Sequence, residues 1–164
     1  MIVQVVNKSD FPLPQYETKG SAGMDVRADL KRYAIENNVI SKSTFSSIGL
    51  KMEPFKVYVI PTGIFIGLPE GSQDVGYEAQ IRPRSGLAAK YGITILNSPG
   101  TLDSDYRGEL KIILMCLTED GYHIKHGDRI AQIVIAQYLK AEWSPVSELD
   151  ETVRGTGGFG HTGK

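Results

Sequence analysis

Turn residues recur along this chain at short intervals, and that punctuation limits the fold more than any other feature. Pro61-Thr62-Gly63, Pro69-Glu70-Gly71-Ser72, Ser98-Pro99-Gly100, Glu119-Asp120-Gly121 and His126-Gly127-Asp128 all carry residues that turn the backbone. Between them lie short, β-rich runs: Lys56 to Ile60, Ile64 to Leu68, Tyr77 to Ile81, Ile93 to Leu96, Leu110 to Leu117 and Ile130 to Tyr138. Runs such as Val57-Tyr58-Val59-Ile60 are β-branched and too short for buried helices. Many short strands between frequent turns predict an all-β fold, an antiparallel sandwich or barrel. One segment, Ser85 to Tyr91, reads as a short helix with Ser85 as N-cap and Gly92 as C-cap. Residues 31–55 read as a long connection carrying one extra hairpin.

A chain of 164 residues is one domain's worth and can bury a core without a disulfide or metal staple. Its 18 basic and 19 acidic residues give a net charge of -1. A nearly neutral chain is not built on a polybasic face, so nucleic acid is not an expected partner. Cys116 lies in the apolar run Ile112 to Leu117 and reads as a buried, inert thiol. The first residues hold no basic stretch followed by a long apolar one, and no window approaches 18 apolar residues. The expectation is a soluble, cytoplasmic domain with no membrane span. Without HxxxH, CxxC, GxSxG or GxxxxGK[ST], zinc chemistry, serine hydrolysis and P-loop chemistry have no support.

Polar residues gather in five places. Asn97 to Glu109, between two apolar runs, holds Asn97, Asp103, Asp105, Tyr106 and Arg107. Asp103 and Asp105 stand two apart, so an extended chain would place both on one face, as a carboxylate pair or as a base and its partner. A plain solvated hairpin fits the same residues. Arg82-Pro83-Arg84-Ser85-Gly86-Leu87 opens the short helix, where free N–H groups and Arg84 would suit an anion, although an ordinary capped helix needs no ligand. Gly20 to Val26 places Asp25 in a small-residue turn, and Gly127 to Gln132 is a turn entering a strand. The last ten residues hold five glycines and Phe159, either an idle terminus or a mobile arm that wraps an anion while Arg154 and Phe159 hold a planar group.

In order and spacing these segments resemble the five motifs of the trimeric deoxyuridine triphosphate nucleotidohydrolases, the dUTPases. The matching residues are Ala22-Gly23-Met24-Asp25, Arg82 to Leu87, Gly100 to Gly108, Gly127 to Gln132 and Arg154 to Gly160. The resemblance covers about residues 9 to 164. The connection from Asp29 to Phe55 is longer than is usual in the family. His161 stands where the last motif more often has Ser, with Thr162 left to contact phosphate.

The resemblance implies an antiparallel jelly-roll-like (β-clip) barrel with one short helix, residues 1–153, assembled as a homotrimer. Residues 154–164 would form an arm that closes over the site. It implies hydrolysis of dUTP to dUMP and pyrophosphate by in-line attack of water on the α-phosphorus. That reaction keeps uracil out of DNA and supplies dUMP for thymidylate synthesis. Asp103 would orient and deprotonate the water. Asn97 with the backbone of Gly100, Thr101 and Leu102 would read uracil, Tyr106 would exclude a 2′-hydroxyl, and Lys111 would add to the same pocket. Arg84, Ser85, Gly86 and Gln132 would hold the phosphates. Phe159 would stack on uracil, and Arg154 with Gly160 and neighbouring amides would cover the phosphates. Mg2+ would ride on the triphosphate, touched by Asp25 only through water. The rival is the dCTP deaminase family, which shares the fold but generally lacks the complete Thr101 to Tyr106 hairpin and this arm.

Overall fold

The structure, a computed structural model, describes residues 1–37 and 49–158. In chain order its elements are β1 (Gln4–Asn7), β2 (Met24–Arg27), α1 (Leu30–Glu36), β3 (Gly49–Met52), β4 (Val57–Pro61), β5 (Ile64–Gly67) and β6 (Val75–Arg82). They are followed by α2 (Ser85–Tyr91), β7 (Ile93–Ile95), β8 (Gly100–Leu102), β9 (Lys111–Cys116), β10 (Tyr122–Lys125) and β11 (Arg129–Leu139). The β-rich runs between turns all become strands, and every pairing is antiparallel.

The strands form a four-stranded sheet β2-β11-β6-β8, a three-stranded sheet β4-β9-β7, and two ribbons, β1-β5 and β10-β3. Alternation along β9 decides its orientation: Ile112, Leu114 and Cys116 point into the core while Lys111 faces out. They meet Val26, Ala79, Ile81 and Ile133 from the larger sheet in one continuous hydrophobic cluster. Cys116 is buried there, as expected of an inert thiol.

Three expectations need correction. Among the described residues the strands do not close into a barrel; they divide into separate sheets. Among the described residues there are two short helices rather than one, because Leu30–Glu36, at the start of the connection, is helical. Asp29 caps it by accepting from the Arg32 N–H at 3.2 Å, and Leu30 is buried. The far end of that connection, β3, pairs with β10; residues 38–48, on which the expected hairpin mostly falls, lie outside the described residues. Arg84, not Ser85, occupies the N-cap of α2, and no side chain caps it. Gly92 does end that helix in the left-handed conformation at φ 61°. No helix among the described residues is long and apolar enough to cross a membrane.

Candidate active site

The segment between β7 and β9 is more than a hairpin loop. β7 and β9 pair with each other, whereas β8, in the middle of that segment, pairs with β6 in the other sheet. The chain therefore crosses from one sheet to the other and back, leaving a cleft of about 310 Å³. Asn97, Gly100, Leu102, Asp103, Tyr106 and Lys111 are among its lining residues, with Thr101 beside them. Its apolar wall comes from side chains such as Ile81 and Ile95. One small planar group with polar edges suits such a space.

Local packing explains the residue types. A Cβ on Gly100 would lie 3.1 Å from the Asn97 amide nitrogen, so glycine lets that amide lie against the backbone. On Gly108 a Cβ would lie 2.2 Å from the Tyr106 hydroxyl, so glycine lets the ring fold across the chain. The Tyr106 hydroxyl donates to the Glu109 carbonyl at 3.2 Å. Arg107 staples the turn by donating to the Ser104 and Tyr106 carbonyls. Asp103 and Asp105 are not on one extended face. The Tyr106 N–H bonds back to the Asp103 carbonyl at 3.2 Å, closing a turn that holds Asp103 at the cleft and leaves Asp105 outside its lining.

A second polar cluster forms where β2, β11 and the start of α2 meet. Register places Gln132 opposite both Asp25 and Arg82. Asp25 is held at both oxygens: Arg84 Nε lies 2.9 Å from Oδ1, and Arg129 Nη1 lies 3.2 Å from Oδ2. Arg84 also donates to the Arg129 carbonyl at 2.9 Å, and the Gln132 amide donates to the Pro83 carbonyl at 3.0 Å. A Cβ on Gly23 would lie 2.4 Å from Gln132 Oε1, so glycine lets that amide oxygen lie against the backbone. Ser85 and Gly86 are exposed, and a Cβ on Gly86 would meet nothing within 4 Å. Gly86 is thus not demanded by packing within this chain.

Within one chain the two clusters stay apart. Arg84 borders a different hollow, of about 270 Å³, together with Arg27, Asp128 and Arg129. That hollow shares no lining residue with the cleft at Asp103. Arg154 lies in neither. Its guanidinium donates to the Gly157 carbonyl at 2.7 Å, within a run of turns over residues 153–156. Phe159, Gly160, His161 and Thr162 fall outside the described residues.

Glu109 and Arg129 lie inside segments that the sequence reading singled out but gave no site role, and Arg32 lies outside all of them. Glu109 is buried at 9% exposure and takes both Nε and Nη2 of Arg32 at 3.1 and 3.2 Å. This bond raises the Arg32 pKa above its ordinary value, against the opposing effect of burial. A carboxylate immediately before an apolar strand was the available signal, because a buried charge needs a partner.

For a resident cation, no group of three or more His, Cys, Asp or Glu among the described residues could hold one. Asp25, with both oxygens on arginines, is suited to contact a hydrated ion rather than to ligate it.

The profile of the dUTPase family matches residues 45–163, well over half of the chain. The deoxyuridine 5′-triphosphate nucleotidohydrolase of Finegoldia magna is 47% identical over 163 residues, covering 99% of each chain. That of Fusobacterium nucleatum is 48% identical over 162 residues, covering 99% of this chain and 97% of its own. Among solved structures, the dUTPase of Staphylococcus bacteriophage 80alpha, in a mutant form with dUpNHpp, superposes with a TM-score of 0.77 at 24% identity over 99% of each chain. The dUTPase of phage phi11 of S. aureus, solved with attention to a structural Mg(II) ion, gives a TM-score of 0.69 at 22% identity. It covers 92% of this chain and 100% of its own.

Proposed function

The chain belongs to the dUTPase family and hydrolyses dUTP to dUMP and pyrophosphate, and from that premise we propose that the cleft at Asp103 is where the nucleoside binds. Uracil enters between Asn97 and the β8 backbone. Its carbonyls and N3–H meet the Asn97 amide and the groups of Gly100, Thr101 and Leu102, and Lys111 closes the same pocket. Tyr106 lies under the deoxyribose and occupies the space of a 2′-hydroxyl. Asp103 accepts a proton from the water that attacks the α-phosphorus in line. The bond from that phosphorus to the α,β-bridging oxygen breaks, and pyrophosphate carries the electron pair away. The remaining work is positioning and charge neutralisation.

Arg84, Ser85, Gly86 and Gln132 hold the phosphate chain. Arg84 exchanges part of its bonding to Asp25 and the Arg129 carbonyl for phosphate oxygens. Asp25 would touch the water shell of a hydrated Mg2+ carried by the triphosphate, and that ion would supply neutralisation of phosphate charge.

The separation of the two clusters within one chain supports a homotrimer in which neighbouring chains complete each site. Exposed apolar side chains point the same way. Val57 is half exposed on β4, and Trp143, Leu149 and Val153 beyond β11 are almost fully exposed. Residues 1–153 form the body, a β-clip of the jelly-roll kind completed by assembly. Residues 154–164 form the arm, bringing Phe159 over uracil and Arg154 with Gly160 onto the phosphates. The enzyme works in the cytoplasm on free nucleotide.

The observation that carries this reading is the cleft itself, which gathers Asn97, Tyr106 and Asp103 on one turn-rich segment. Its test is Asp103→Asn, which keeps the shape and removes the base. Turnover of dUTP should fall about a hundredfold or more while nucleotide binding persists. Near-normal turnover would remove Asp103 from its role. Release of ammonia from dCTP by the intact protein would instead favour the deaminase reading.

A further inference from the structure

Helix α1 sits in the connection between β2 and β3, and its charged side chains reach residues that line the cleft. Arg32 grips the Glu109 carboxylate through two nitrogens, and Glu36 pairs with the Lys111 ammonium at 2.8 Å. The two spacings match. Residues four apart on a helix share a face and are about 6 Å apart along the axis; residues two apart in extended chain share a face and are about 6.6 Å apart. One face of α1 therefore lies across Glu109-Leu110-Lys111 as a two-point clamp.

The clamped tripeptide is anchored from beneath as well. The Leu110 N–H donates to the Ile64 carbonyl at 2.8 Å, and its carbonyl accepts from the Thr62 hydroxyl at 2.6 Å. Glu109 Oε1 also accepts from the Gly63 N–H at 2.7 Å. The helix itself is fixed at its start, where the Leu30 N–H donates to His126 Nδ1 at 3.1 Å and the Asp29 N–H to the Pro61 carbonyl at 2.9 Å. What these anchors fix includes the carbonyl of Glu109, the acceptor for the Tyr106 hydroxyl.

We propose that Arg32 and Glu36 are positioning residues for the nucleoside cleft: through Glu109 they set the Tyr106 ring, and through Lys111 they hold the far wall. The inference rests on the reading of Tyr106 as the group that excludes a 2′-hydroxyl. Without Arg32 the Glu109 carboxylate keeps one N–H partner in a site only 6% exposed. It must then draw in water or move. Either response shifts the strand edge that carries the Tyr106 acceptor.

The test compares Arg32→Gln, Arg32→Lys and Glu36→Gln with the parent enzyme. It reads melting temperature together with kcat and KM for dUTP and for UTP. Arg32→Gln should lower kcat/KM for dUTP by roughly tenfold, a fraction of the hundredfold that an ångström of misplacement can cost. It should also reduce the preference for dUTP over UTP. Arg32→Lys, which keeps the charge and loses the fork, should fall between, and Glu36→Gln should move both quantities less but in the same direction. If these variants are folded and discriminate dUTP from UTP as the parent does, the clamp is merely structural and the proposal is overturned. Should Arg32→Gln fail to fold, Arg32→Lys and Glu36→Gln decide by the same readout. Asp103→Asn, run alongside, separates the two levels. If it is inactive while the α1 variants are silent, only the clamp fails; if it turns over normally, the cleft reading fails and takes the clamp with it.

Discussion

Single atoms decide the geometry around Tyr106. Gly108 is one such position, since a methyl group there would collide with the Tyr106 hydroxyl at 2.2 Å, and the ring could no longer reach the Glu109 carbonyl. The glycine is therefore a requirement of the aromatic side chain two residues earlier. If the ring fills the space of a 2′-hydroxyl, Tyr106→Ala should lower the ratio of kcat/KM for dUTP over UTP while the protein stays folded. An unchanged ratio in a folded variant would mean that another group reads the sugar. The Asp25 carboxylate makes a second residue-scale point. Two arginines pair with it, so removing it would leave Arg84 without a carboxylate partner while Arg129 keeps Glu17 at 3.1 Å.

At the scale of elements, α1 shows how a helix of seven residues is held by tertiary contacts. A helix this short is unstable alone, and its first N–H groups are taken by Asp29 and by His126. His126 sits against the Phe11 ring. Its pKa lies below the ordinary histidine value, first because it is buried and also because Lys31 is near; Asp29 and Asp10 act in the opposite direction. The neutral ring accepts the Leu30 N–H, and a proton on Nδ1 would turn that acceptor into a donor. With the folded pKa depressed, the unfolded chain binds more protons just below the ordinary value of about 6.5. The contribution is full above that pH and is lost as pH falls through the folded value. Melting temperature should thus drop more steeply below pH 6.5 in the parent than in His126→Asn, whose amide oxygen can accept at any pH. Equal slopes would show that His126 does not anchor the helix.

Elements were legible where one physical rule dominated. β4, β6, β9 and β11 are apolar and β-branched between turn residues, and their alternation or burial follows directly. β1 was not legible, because all four of its residues are exposed and no period distinguishes an edge ribbon from a loop. β8 is three residues long and begins with glycine, so its pairing with β6 is a property of the sheet. α1 did carry a signal, Asp29 followed by Leu30, Tyr33 and Ala34 at helical spacing, which the polar stretch after it obscured. The cleft was legible as a group because it is built from turn chemistry. The Arg32–Glu109 pair was not, since its partners stand 77 residues apart in the chain.

For the whole molecule, the arrangement of the two polar clusters makes the account one of assembly. A single chain presents Asp103 on one surface segment and Arg84 beside a separate hollow. The residues that precede Arg154 include the exposed apolar side chains Trp143, Leu149 and Val153. The most direct measurement mixes two defective chains, one carrying Asp103→Asn with its arm intact, the other ending at Val153 with Asp103 intact. Each alone should be nearly inactive. Co-expressed in equal amounts and confirmed to form mixed rings, they should give about a quarter of normal dUTP turnover. A working site needs its base from the truncated chain and its arm from the other, each with a chance of about one half. Activity near zero in rings shown to be mixed would mean that each arm serves its own chain's site, and it would contradict the shared-site account.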